Sequence, residues 1–204
     1  MNVMSMIHRL YRLTPHRRIT VTLRSAARAL IAMLVVALAW TMGQASATAA
    51  PSTSAAAVVL TYDTSGAEEF VDAVDKGAAV WNDNVENVQL KPARSGERAN
   101  IEILADDGWP RAQTTSLGNG TIWMGRQAVD EGHDTIRIAA HELGHILGLP
   151  DKKPGPCSSL MSGASAGTDC TNATPDASER AEVEDNFASA GVSPAVYAAR
   201  LYLD

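Results

Sequence analysis

His141, Glu142 and His145 stand in the run AAHELGHILGLPD, and Gly148 and Asp151 follow the second histidine at steps of three. On an α-helix four residues turn about 400°, so the two imidazoles project from one face, one turn apart, and can bind a single metal ion. Glu142 then stands beside that ion without having to coordinate it, where a carboxylate can act as general base on a water. Gly148 can reverse the chain and bring Asp151 back as an oxygen ligand. Two histidines and one aspartate leave a fourth position open, which is the pattern of a catalytic metal site rather than a structural one. Nitrogen and carboxylate donors suit zinc, with cobalt or manganese as in vitro substitutes. The competing reading is a helix that happens to carry two solvated histidines.

Downstream, CSSLMSG places Met161 between Cys157 and Cys170, the two cysteines of the chain. A lone methionine is ordinarily core, but a tight turn bearing one could floor a metal site built on the preceding helix. The cysteines lack the C-x-x-C spacing of a structural zinc site. A disulfide is the default in an oxidising compartment, a thiol site the alternative, and the loop closed would contribute about 3 kcal/mol by chain entropy.

The elements that must position these groups can be read from periodicity. VVLTY at Val58–Tyr62 has strand character, and Phe70, Val71, Val74, Ala78 and Trp81 recur at helical spacing over Ala67–Trp81. VQL near Val88 and NIEILA at Asn100–Ala105 read as strands. TIWMG from Thr121 reads as a further strand at the sheet edge beside the cleft, where Ile122 and Trp123 could align an extended peptide. Core packing is the alternative for Trp123 and Trp109, and His133 reads as a solvated loop residue. Asp134 can cap the helix TIRIAAHELGHIL, whose apolar face is Ile136, Ala139, Ala140, Leu143 and Leu147, and Gly148 can end it. PDASERAEVEDNFA is a second helix with Pro175 in its first turn, and the tail SPAVYAARLYLD reads as a helical extension.

Residues 1–47 read as a signal peptide: six arginines and no acid precede the apolar run ALIAMLVVALAWTM, and A-x-A cleavage sites follow. That run of about 14 residues is shorter than the ~20 of a spanning helix, which disfavours a membrane anchor. Met4 or Met6 as the start, and twin-arginine export through RRIT, stay open. Residues 48–57 read as a flexible lead-in or short pro-segment, 58–190 as the metal-site domain and 191–204 as a C-terminal extension. Beyond residue 47, 11 basic residues face 23 acids, a net charge near −12. Such a chain lacks the basic face that nucleic acid requires.

The run HELGHILGLPD, together with VVLTYD, AAVWNDNVENVQL, GPCSSLMSG and CTNATPDASERAEVE, resembles the snapalysins, small secreted neutral zinc endopeptidases of actinobacteria within the metzincin group. The likeness spans roughly Val58 to Ala188. Metzincins commonly show H-E-x-x-H-x-x-G-x-x-H, and snapalysins end that pattern with aspartate, as here. The resemblance implies an α+β fold: a small single-domain metzincin-like zincin with a twisted mixed sheet, an active-site helix and a C-terminal helix. It further implies zinc on His141, His145 and Asp151, Glu142 as base, Met161 in the Met-turn, and cleavage on the amino side of aromatic residues. One structural calcium is implied as well, with Asp134 in the matching region, where the helix-cap reading competes. At one position the chain departs from the family: Lys153 stands where snapalysins commonly carry a tyrosine able to donate to an oxyanion. An ammonium can stabilise the same charge, or simply be solvated.

The expected protein is therefore a secreted extracellular, monomeric endopeptidase with polypeptide substrates, no nucleic-acid partner and no stable membrane anchor. The rival from another class is a secreted zinc-containing binding or inhibitory module with weak or no turnover. A serine or cysteine hydrolase is disfavoured, since only His133, His141 and His145 lie beyond residue 47 and no G-x-S-x-G occurs.

Overall fold

A computed structural model describes residues 56–188 and 199–203. The expectations for residues 1–47 and for most of the lead-in therefore fall outside the described residues. Strand β1 (Val58–Gly66) buries Leu60 and Tyr62 on one face, and α1 (Val71–Asn84) follows it after a 3-10 turn at Glu68–Phe70. The helix buries Ala73, Val74, Ala78 and Trp81, the i, i+3 and i+4 stripe expected of a helix lying on a sheet. Then come β2 (Val88–Pro92), β3 (Ile101–Asp106), β4 (Arg111–Ser116) and β5 (Asn119–Gly125). The short α2 (Arg126–Asp130) leads to α3 (Thr135–Ile146), and α4 (Ala177–Phe187) and β6 (Arg200–Leu203) complete the chain.

The sheet order is β2-β1-β3-β5-β4-β6. β2, β1, β3 and β5 run parallel, whereas β4 is antiparallel to both β5 and β6. The mixed sheet with its two principal helices agrees with the expected α+β architecture. Two expectations need correction. The Thr121–Gly125 strand is interior, because the tight turn at Leu117–Gly118 folds β4 back along its outer side. The end of the tail, expected as helix, is a strand: Arg200 to Leu203 pair with Thr114 to Arg111. Residues 193–198 of that tail lie outside the described residues.

Trp81 is fully buried and its Nε1 donates to the Ala140 carbonyl at 2.8 Å, which pins α1 to α3. The α3 helix buries every residue from Arg137 to Ile146. It is thus sandwiched rather than laid on a surface, and its polar side chains must find partners inside. Among the described residues no helix is long and apolar enough to cross a membrane.

Candidate metal centre

The α3 helix starts at Asp134, whose carboxylate accepts from the Arg137 N–H at 2.8 Å as a conventional N-cap. It ends in a reversal at Gly148, which has φ 99°, a conformation costly for any residue with a Cβ. Gly148 N–H donates to the His145 carbonyl and Leu149 N–H to Gly144, the paired bonds of a Schellman motif. This reversal carries Asp151 back over the helix. His141 Nε2 and His145 Nε2 are 3.1 Å apart, and Asp151 Oδ1 lies 3.4 Å from the first and 3.5 Å from the second. Among the described residues these three form the one group of three or more His, Cys, Asp or Glu side chains able to converge on an ion.

The other ring nitrogens explain why both Nε2 atoms face inward. His141 Nδ1 is 3.0 Å from the Leu160 carbonyl and His145 Nδ1 is 2.8 Å from the Leu149 carbonyl. Carbonyls only accept, so both protons sit on Nδ1 and both Nε2 atoms present lone pairs. Two such lone pairs at 3.1 Å, beside a buried Asp151 Oδ1 that takes no hydrogen bond, repel one another unless a cation lies between them. Ligand bonds of about 2.0–2.2 Å in a tetrahedron place donor atoms roughly 3.3–3.5 Å apart, which the observed triangle matches. The residues present therefore fit a zinc-sized ion.

Electrostatics point the same way. Burial pushes His145 below its ordinary value, which favours its neutral form. Burial alone would raise Asp151, but the facing imidazoles and the Lys153 ammonium outweigh it and hold the carboxyl well below the usual range. Neutral imidazoles and a carboxylate are the states in which these groups bind a metal. Glu142 is fully buried on the same helix, one residue past His141.

Met161 is fully buried in the 3-10 segment Leu160–Ala166, which packs against α3. Gly144 faces it so closely that an added Cβ would lie 2.7 Å from Met161 Sδ and 3.2 Å from Trp81 Cζ2. Cys157 and Cys170 are disulfide-bonded with Cα atoms 5.5 Å apart, enclosing this segment. Two side chains that the sequence reading passed over hold it further. Glu179, fully buried, accepts from Ser159 Oγ at 2.6 Å, Leu160 N–H at 3.1 Å and Met161 N–H at 3.0 Å. Arg137, also buried, donates to the Ser159 carbonyl at 3.0 Å and contacts Ser162 Oγ at 2.9 Å. The signal for Glu179 was present as D-A-S-E, the capping box that opens α4 with Asp176 as N-cap, so Pro175 precedes the helix instead of lying in its first turn.

The remaining candidates sort as follows. Lys153 Nζ lies 3.3 Å from Asp151 Oδ1 and 3.4 Å from the Leu203 carbonyl, beside the donor triangle. Asp134 is occupied as a helix cap and belongs to no second metal-ligating cluster among the described residues, so the calcium expectation has no geometry behind it. Trp109 and Trp123 are half-buried: Trp109 packs against the core and meets His133 with ring centroids 5.8 Å apart, and the Arg111 guanidinium covers Trp123 at 4.5 Å. His133 and Trp109 thus line a small depression beside His141 of about 10 Å³, room for a water molecule, together with Asp134, Ile138 and Ala164.

A family model described as Streptomyces extracellular neutral proteinase (M7) matches residues 57–190. The extracellular small neutral protease of Streptomyces caespitosus is 42% identical over 134 residues, which cover 65% of this chain and 98% of that protein. Its namesake from Streptomyces sp. (strain C5) is 40% identical over 141 residues, 69% of this chain; the chain spans 61% of that longer relative. Archaemetzincin from Methanopyrus kandleri, a solved structure, aligns over 67% of this chain and 97% of its own with a TM-score of 0.41 and 13% identity, a likeness too slight to build on.

Proposed function

The chain belongs to the Streptomyces extracellular neutral proteinase (M7) family, and on that premise we propose that it is a secreted zinc endopeptidase that hydrolyses polypeptides with Glu142 as general base. The observation that carries this reading is the donor triangle of His141, His145 and Asp151, with both imidazoles turned by backbone carbonyls to offer Nε2. A zinc ion held there would supply a Lewis acid that acidifies water and polarises the scissile carbonyl. Glu142 takes the proton of the attacking water and returns it to the leaving amine, so no covalent enzyme intermediate is needed. Met161 packs against Gly144 of the helix that carries the two histidines.

Lys153, within 3.3 Å of Asp151, is positioned to meet negative charge developing on the substrate oxygen. Cleavage on the amino side of aromatic residues belongs to the same reading, as the family resemblance implies. The export of the chain, its monomeric state and its leader belong to the same reading. The test uses the full exported chain with casein and a quenched aromatic peptide. Chelation should abolish cleavage and zinc restore it, while Glu142→Gln should retain zinc and lose turnover. A zinc-loaded, folded parent that cleaves nothing would replace this reading with that of a binding module.

A further inference from the structure

Strand β6 sits in an unusual place for a piece of the sheet. It pairs antiparallel with β4, opposing Leu203 to Arg111, Tyr202 to Ala112, Leu201 to Gln113 and Arg200 to Thr114. Without it, β4 would be the outer strand of the sheet on this side. Such an edge offers a row of backbone donors and acceptors to any extended peptide. Its position is also chemical: Tyr202 lies flat on the His145 imidazole, with ring centroids 3.9 Å apart and planes within 10°. The adjoining Leu203 carbonyl receives Lys153 Nζ at 3.4 Å, from the ammonium that also faces Asp151. One short segment therefore takes a sheet edge, the face of one zinc-ligand candidate and the cation beside another.

The way it is held distinguishes it from a permanent strand. Leu201 is 57% exposed and Leu203 65%, so the apolar side chains flanking Tyr202 are left in water. Backbone pairing, the Thr114 hydroxyl to Arg200, the Lys153 contact and one stacked ring carry the attachment. The segment also lies beyond residues 57–190, the part of the chain that the family shares. A segment added to a common domain and docked along an edge beside the donor triangle, with little burial of its own, is built to be displaced.

We propose that Arg200–Leu203 is a built-in competitor for the substrate cleft, occupying the β4 edge and the His145 face in the manner of an extended peptide whose tyrosine anchors it. This rests on the peptidase reading for its consequence on rate, but the docking itself does not. The chain then exists as a covered and an uncovered form, and a substrate binds only the second, so its apparent affinity falls by the uncovered fraction. Because occupancy excludes substrate without altering the reacting groups, KM rises while kcat stays constant.

The test uses the full chain and its Tyr202→Ala and Tyr202→Phe variants. With about a tenth of the parent uncovered, Tyr202→Ala should lower KM about tenfold at unchanged kcat, whereas Tyr202→Phe, which keeps the ring, should behave as the parent. Hydrogen exchange at the β4 amides should quicken in Tyr202→Ala alone. A synthetic ARLYLD peptide, residues 199–204, should inhibit that variant competitively. Binding of this peptide is also measured by calorimetry in Glu142→Gln chains with and without Tyr202→Ala, where turnover plays no part. If no chain turns over yet Tyr202→Ala still admits the peptide, the peptidase reading fails and the built-in competitor stands. Unchanged β4 exchange and unchanged KM in Tyr202→Ala would overturn the proposal. A fall of kcat in Tyr202→Phe would overturn it too, because the phenol would then serve the reaction itself.

Discussion

Two neighbouring regions are held against α3 by opposite means. The loop carrying Met161 is fixed from several directions: a disulfide, the buried Glu179 carboxylate, the Arg137 guanidinium and the Leu160 carbonyl on His141. The β6 segment, a few ångströms from the same histidines, is held by backbone pairing and one aromatic face, with its leucines exposed. In the first region Arg137, Ser159, Ser162 and Glu179 are buried and partnered, so loss of any one leaves others unsatisfied inside. In the second, every group released from the protein is released into water. A catalytic centre must hold donor atoms to fractions of an ångström, while whatever covers it must leave on the time scale of turnover.

That contrast can be broken at its rigid side first. Glu142→Gln keeps size and burial but removes the base, and should lower kcat about 10²–10⁴-fold with zinc content unchanged by metal analysis. Glu179→Ala strips the acceptor from three backbone N–H groups and a hydroxyl; it should destabilise the zinc-loaded chain by about 3 kcal/mol in urea unfolding. An equally large loss from Ser178→Ala, at the solvent side of the same turn, would show that the helix start and not the buried carboxylate matters. Gly144→Ala forces a Cβ against Met161 Sδ and should cost about 1–3 kcal/mol with a matching loss of zinc affinity, read by competition with a chelating dye.

The smallest effect is expected at the surface behind β4. Hydrogen bonding from Arg111 holds the Asp106 carboxyl below its ordinary value, and partial burial opposes it. A depressed carboxyl contributes stability above its unfolded value, and the contribution is lost as pH falls through the folded one. Asp106→Asn should therefore cost less than about 1 kcal/mol at neutral pH, a loss that shrinks as acid protonates the parent carboxyl, so that the acid limb of the stability curve is flattened. Chemical denaturation from neutral pH into acid would reveal it; a loss that persists undiminished in acid would contradict the assignment.

Much of the α3 region was legible in the sequence because its information is local. The spacing of His141 and His145, the Asp134 cap and the Gly148 reversal all act within one helix and its ends. β4 was not legible: RAQTTS buries only Ala112 and Thr114, too few for a periodic signal, and it is a strand because β5 returns alongside it. The same omission misplaced Thr121–Gly125 at the sheet edge. Glu179 and Arg137 read as ordinary charges on helices, since nothing in their own windows says that another segment will bury them. The tail misled for a related reason: alanines and leucines favour helix, but pairing along β4 determined the outcome at Arg200–Leu203.

The two carbonyls that orient the histidines come from different moments of assembly. Leu149 lies four residues beyond His145, so its bond can form as soon as the helix and its terminating turn do. Leu160 is 19 residues from His141 and arrives only when the oxidised 157–170 loop docks. Before that, nothing in the helix itself decides which His141 nitrogen carries the proton. Turning both Nε2 atoms inward thus depends on one contact made within a single turn and on another that reaches across 19 residues.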